Sequence, residues 1–185
     1  MEFWSTAFGG FLAAALGLGG FFVQDWHRRR SDKRRLAMAL LQEMLHAQKF
    51  LAAAHKVLTR ISKKSGSVSG SEIRLTYPSH RKIYPVLGAN IGVLSEKAVH
   101  AAVNFDHYMQ GLERDFEYEV GHFNIASTFD PATALKLANK ISSAINSTTE
   151  HLECMASEAY GGTVPEATKE IIRRLKIMVG INVSH

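Results

Sequence analysis

The pattern of apolar and polar positions divides the chain into one uncharged run followed by four amphipathic stretches. From Phe3 to Val23, FWSTAFGGFLAAALGLGGFFV, no charged side chain occurs over 21 residues. At about 1.5 Å per residue this run makes a helix roughly 31 Å long, close to the roughly 30 Å hydrocarbon core of a bilayer. Trp4 and Trp26 flank it, and a spanning helix would hold one amphipathic ring near each interface. A cleavable signal peptide would carry its basic residues before the run and a small-residue cleavage site after it. Here the basic residues follow, and Gln24, Asp25 and Trp26 make a poor cleavage site. A buried soluble helix would show a polar stripe, which the run lacks. The expectation is a transmembrane anchor over residues 1–24.

Beyond the anchor the apolar spacing turns helical. Leu36, Leu40, Ala47, Phe50, Leu51, Ala54, Val57, Leu58 and Ile61 recur at three- and four-residue steps, with Gln42, Glu43, Lys49, Lys56 and Arg60 opposite. They predict an amphipathic helix over 32–62. No Pro or Gly separates it from the anchor, so the two form either one rod of about 60 residues, roughly 90 Å, or two helices capped at Ser31 or Asp32. Residues 62–72, SKKSGSVSGSE, read as a flexible polar loop.

The stretch 73–94 is irregular. Pro78 and Pro85 each push the preceding tyrosine toward extended geometry, and Pro85 opens a short helix to about Ile91. Tyr77 and Tyr84 are expected in the core. Ser95 is a helix cap, with Leu94 and Val99 as its hydrophobic staple. The helix after it runs to about Val120 on a stripe of Ala98, Val99, Ala102, Val103, Phe105, Tyr108, Met109, Leu112 and Phe116. Glu113, Asp115, Glu117 and Glu119 make its second half acidic, a solvated face or a partner for basic residues elsewhere.

Gly121 to Phe129 is a turn region. Asp130 and Pro131 start a helix that runs to about Tyr160. Its stripe is Ala134, Leu135, Leu137, Ala138, Ile141, Ala144, Ile145, Thr148, Leu152, Met155 and Ala156. Gly161 and Gly162 stop it. A last amphipathic helix begins near Pro165 and carries Ile171, Ile172, Leu175, Ile177 and Met178. No stretch alternates long enough to argue for a sheet. The predicted fold is all-α: an N-terminal transmembrane helix, then an antiparallel cytoplasmic bundle of about four helices over residues 36–185.

Charge adds orientation. The formal net charge is +5. Residues 25–35 hold six cations (Arg28, Arg29, Arg30, Lys33, Arg34, Arg35) against Asp25 and Asp32, so most of the excess lies in one juxtamembrane segment. By the positive-inside rule the C-terminal domain is cytoplasmic and the N-terminus outside. The same cations favour a bilayer with anionic head groups, at about 1 kcal/mol each near the surface. The rest of the chain has no strong excess, which argues against nucleic acid as a partner.

The single cysteine, Cys154, allows no intramolecular disulfide and fits a reducing compartment. Gly9, Ala13 and Gly17 fall four apart, the spacing of a small-residue face on which membrane helices associate.

Candidate chemistry is sparse. The nine histidines are His27, His46, His55, His80, His100, His107, His122, His151 and His185, and they include no HExxH. Glu43 and His46 match a Glu-x-x-His spacing once, but a di-iron bundle needs that motif from two helices. Cys154 lies mid-helix, away from any helix N-terminus that would activate it. There is no GxSxG, Walker loop or GxGxxG. No catalytic residue, metal site or cofactor is expected.

The run YPVLGANIGVLSEKAVHAAVNFDHY, Tyr84 to Tyr108, resembles a pattern in bacterial membrane-anchored proteins. In these a short helix, an IG-x-L turn and a helix ending in an aromatic pair (here Phe105 and Tyr108) follow one N-terminal transmembrane segment. The resemblance implies a single-pass inner-membrane protein with a cytosolic helical domain, and it brings no activity. Together these features predict a membrane-anchored interaction or adaptor protein with a protein partner. The alternative is an oligomerising membrane-active effector whose transmembrane helix self-associates.

Overall fold

A computed structural model describes the backbone of residues 2–63, 91–121 and 130–178, and the side chains of 23–63, 92–116, 118 and 130–178. The described chain is all-α. Helix α1 spans Glu2–Ser62, α2 Glu96–Gly121, α3 Pro131–Tyr160 and α4 Glu166–Met178, with a single 3-10 turn at Ile91–Val93 before α2. Among the described residues there is no strand.

The uncharged run and the first amphipathic stretch form one helix of 61 residues. Ser31 and Asp32 therefore cap nothing, and the helical hydrogen bonding passes through them. Neither residue breaks a helix that its neighbours on both sides favour, and Ala37, Leu40, Leu41 and Met44 immediately beyond are buried and lock its path. Among the described residues, no helix is long and apolar enough to cross a membrane. The side chains of 2–22 fall outside that description, so the transmembrane reading of 1–24 rests on the sequence.

Helix α3 is the centre of the bundle and packs against α1, α2 and α4. Its inward face runs from Ala134 through Leu137, Ile141, Ile145, Leu152 and Met155 to Ala159. Helix α1 meets it with Leu40, Leu41, Met44, Leu51 and Leu58, and α2 with Ala98, Ala102, Phe105, Met109 and Leu112. Each large apolar side chain so buried contributes roughly 1.5–3 kcal/mol. The contacts Gln48–Thr148 and Lys33–Glu158 set α1 antiparallel to α3, and Lys140–Asp115 together with Ser95–Glu158 set α2 antiparallel to it on another side.

The local start and stop signals act as their chemistry requires. The Ser95 hydroxyl accepts from the Ala98 amide at 3.3 Å, and Asp130 accepts from the Ala132 amide at 3.3 Å. Leu94 is buried and Val99 packs against the core, as a staple requires. At the end of α3, Gly161 has φ 70°, its amide donates to Glu158 and that of Gly162 donates to Ser157. This is the paired pattern of a Schellman stop. Helix α4 then returns along α3 through Ile172 and Leu175, and the Thr168 hydroxyl donates to the Tyr160 oxygen at 3.3 Å.

Several residues assigned to apolar stripes face outward. Val103 is 51 % exposed, and Tyr108, Leu135, Ile177 and Met178 are exposed too. Val103 follows Ala102 and Leu135 follows Ala134, one position off the buried row. One step around a helix is about 100°, enough to leave the core face. The loop 64–72, the stretch holding Tyr77, Pro78, Tyr84 and Pro85, the predicted helix from Pro85, and the turn 122–129 lie outside the described residues.

Candidate functional site

The most concentrated polar structure sits where α1 enters the bundle. Lys33 Nζ lies 2.9 Å from Glu158 Oε1, and the same oxygen accepts from the Ser95 backbone amide at 2.8 Å. Three elements therefore meet on one carboxylate: α1, the entry to α2, and the last turn of α3. In a capping box the residue three after the cap returns a side-chain bond to the cap's own amide. That position here is Ala98, and Glu158 makes the return bond from another helix. The Glu158 side chain is only 14 % exposed. Burial pushes its carboxyl up, but the Lys33 ammonium and the Ser95 bonds outweigh this and hold it below the ordinary value of 4.5.

The predicted interface residues divide by face. Arg29 pairs with Asp25 at 2.8 Å, and the Arg30 guanidinium lies 5.3 Å from the centre of the Trp26 ring. The Arg34 guanidinium packs on Gly161, 2.7 Å from where a Cβ would stand. That places a cation beside the carbonyl end of α3, where the helix dipole favours it. Arg28 and Arg35 are exposed. The side chains of Trp4, Gly9, Ala13 and Gly17 lie outside the described residues.

Trp26, Arg29, Arg30 and Lys33 line a groove of about 620 Å³ together with Gly92 and Val93 of the 3-10 turn. Trp26, Arg30 and Lys33 lead, at steps of four, three and then four, to buried Ala37. The groove is thus the continuation of the core-facing stripe of α1, with cations and an indole in place of leucines. Periodicity reveals that continuation. The arrival of the turn from residue 92 and of Glu158 depends on register between distant segments, and no local spacing in the sequence signals either.

The other clefts offer little chemistry. An apolar cleft of about 340 Å³ lies between α3 and α4 over Ala156, Val164 and Ile172. Its rim cations Lys169, Arg173 and Lys176 are engaged by Glu166, Glu170 and Glu153. A polar cleft between α2 and α3 holds His107, Tyr108, Glu150 and His151, with the Tyr108 and His151 rings 6.2 Å apart. Among the described residues no group of three or more His, Cys, Asp or Glu could hold a metal ion. The Cys154 thiol donates to the Lys97 carbonyl at 3.6 Å. Burial first, and Glu158 second, push it up against the pull of Lys97, the reverse of an activated nucleophile.

In the acidic half of α2, Asp115 stands far from the basic segment. Asp115 pairs with Lys140 at 2.8 Å, and Lys140 lies 18 residues along α3 from Glu158, roughly 27 Å at 1.5 Å per residue. No protein-family model, curated protein or solved structure matches this chain.

Proposed function

We infer that this is a single-pass membrane protein whose helical bundle binds another protein at the cytoplasmic face of a bacterial inner membrane. The observation that carries the reading is the continuity of α1 from Glu2 to Ser62. Its first third is free of charge after Glu2, its middle bears six cations within eight residues, and its last half supplies core side chains. A helix built this way transmits the position of an anchor directly to the bundle, without a flexible linker. The six cations on the C-terminal side of the run favour that side as cytoplasmic. The Glu158 junction supports the same reading, since through Lys33 it ties the basic segment of α1 itself to the bundle.

The test is crosslinked capture from native membranes, with the full chain beside a version lacking residues 1–24. A discrete partner that crosslinks to both versions, and only at the membrane with the full chain, is the expected result. No partner with either version overturns the interaction reading. Self-crosslinks alone, lost with residues 1–24, transfer the recognition to Gly9, Ala13 and Gly17 in the anchor.

A further inference from the structure

Three observations converge on the end of the bundle where α1 enters. The first is shape. The groove under Trp26, Arg29, Arg30 and Lys33 is closed on one side by Gly92 and Val93, which come from a separate part of the chain. The second is exposure. Val23, Trp26 and Val93 are 58, 56 and 42 % exposed, and all three lie at this one end. An exposed indole beside exposed valines is costly in water and comfortable at a membrane interface. The third is charge. Six cations stand here against Asp25, Asp32 and Glu158, leaving an excess that attracts anions.

The cations are also arranged. Arg30 lies over the Trp26 ring, 5.3 Å from its centre, and a cation–π contact uses none of the guanidinium's N–H donors, which are left for an acceptor. Arg29 is held by Asp25 and Lys33 by Glu158, so both are positioned before any ligand arrives. Guanidinium edges and an ammonium at close quarters suit a phosphate diester. Distance along α1 fits the same occupant. If the hydrocarbon ends at Val23, then Trp26 and Arg30 stand roughly 4 and 10 Å beyond it, the depth of the head-group layer.

We propose that the groove formed by Trp26, Arg29, Arg30, Lys33, Gly92 and Val93 seats the phosphate head group of an anionic phospholipid, with the 3-10 turn as a second contact on the bilayer. This rests on the anchored reading of α1. The bound lipid would hold the turn against α1, and through Ser95 and Glu158 it would fix the entry to α2.

The full chain carrying Trp4→Phe, which leaves Trp26 as the sole tryptophan, is reconstituted into phosphatidylcholine vesicles with and without phosphatidylglycerol. Quenching of Trp26 by a head-group spin-labelled phosphatidylglycerol is titrated. The expected result is saturable quenching that unlabelled phosphatidylglycerol reverses and inorganic phosphate does not. Arg30→Gln weakens it roughly tenfold or more, the worth of one hydrogen bond to a charged group. Val93→Asp weakens it as well, and Arg35→Gln, the same charge change outside the groove, weakens it by no more than about fivefold, the worth of one interfacial cation. Equal losses for Arg30→Gln and Arg35→Gln would mean diffuse attraction and overturn the site. Displacement by inorganic phosphate, beyond that by chloride of equal ionic strength, would mean a soluble phosphate compound and overturn the lipid assignment. A chain stripped from the vesicles by alkaline carbonate sinks the anchor reading and the groove together. A chain retained but quenched without saturation sinks the groove alone.

Discussion

Glu158 and Lys33 lie 125 positions apart in the chain, and their side chains meet at 2.9 Å. The same carboxylate oxygen closes the cap of α2 on Ser95, so one residue links α1, the bundle centre and the start of a third helix. Glu158→Ala removes both bonds and leaves the Ser95 amide without its acceptor. The expected loss is about 1–3 kcal/mol of unfolding free energy, read by denaturant titration. Glu158→Gln keeps an acceptor for Ser95 but drops the charge, and it should lose less.

The same residue sets a pH dependence. Its folded-state carboxyl is held below 4.5, so the unfolded chain takes up the proton first as pH falls. The stability it contributes is fully present above 4.5, and it declines as pH drops through that value toward the lower folded value. Thermal melts from neutral pH to pH 3 should show a decline that is shallower in Glu158→Gln. Identical slopes would remove Glu158 from the acid response.

His55 adds an earlier step on the acid side. Burial holds its imidazole below 6.5, and its Nδ1 is buried without a hydrogen-bond partner among the described residues. Protonation is therefore easier in the unfolded chain. Stability should begin to fall as pH drops below 6.5, and His55→Leu should flatten that part of the profile. A His55 resonance titrating at 6.5 or above in the folded protein would contradict this.

Gln48 is fully buried and donates to Thr148 Oγ1 at 2.6 Å, while its Oε1 has no partner among the described residues. Thr148→Val removes the acceptor and should cost about 1–3 kcal/mol. Replacing both, Gln48→Met with Thr148→Val, removes the buried polar atoms together and should recover much of that loss. A double-mutant cycle gives the coupling, and a coupling near zero would show that the pair does not pin the register of α1 on α3.

At Gly161 the backbone has φ 70° and the Arg34 guanidinium occupies the space a Cβ needs. Gly161→Ala meets both obstacles, left-handed backbone strain and a displaced arginine. A loss of about 1–2 kcal/mol is expected. Arg34→Ala in the same background should relieve part of it, because only the steric component depends on that side chain.

By itself the sequence determined where α2, α3 and α4 begin and where α3 stops. Ser95, Asp130 and Gly161 act on groups within about five residues of themselves, and the three- to four-residue apolar rhythm is a local property of a helix. The uncharged run and the cations behind it are likewise local features of composition, and the membrane reading of them rests on the sequence alone. Tertiary structure decided the rest. It joined the uncharged run and the first amphipathic stretch into one helix, where Ser31 and Asp32 had offered a break. It turned Val103 and Leu135 outward, because the face of a helix is set by the neighbour it packs against. It also brought Glu158 to Lys33 and Ser95, and Val93 to Trp26. Such meetings depend on how whole faces interdigitate across segments distant in the chain, and no local spacing encodes that fit.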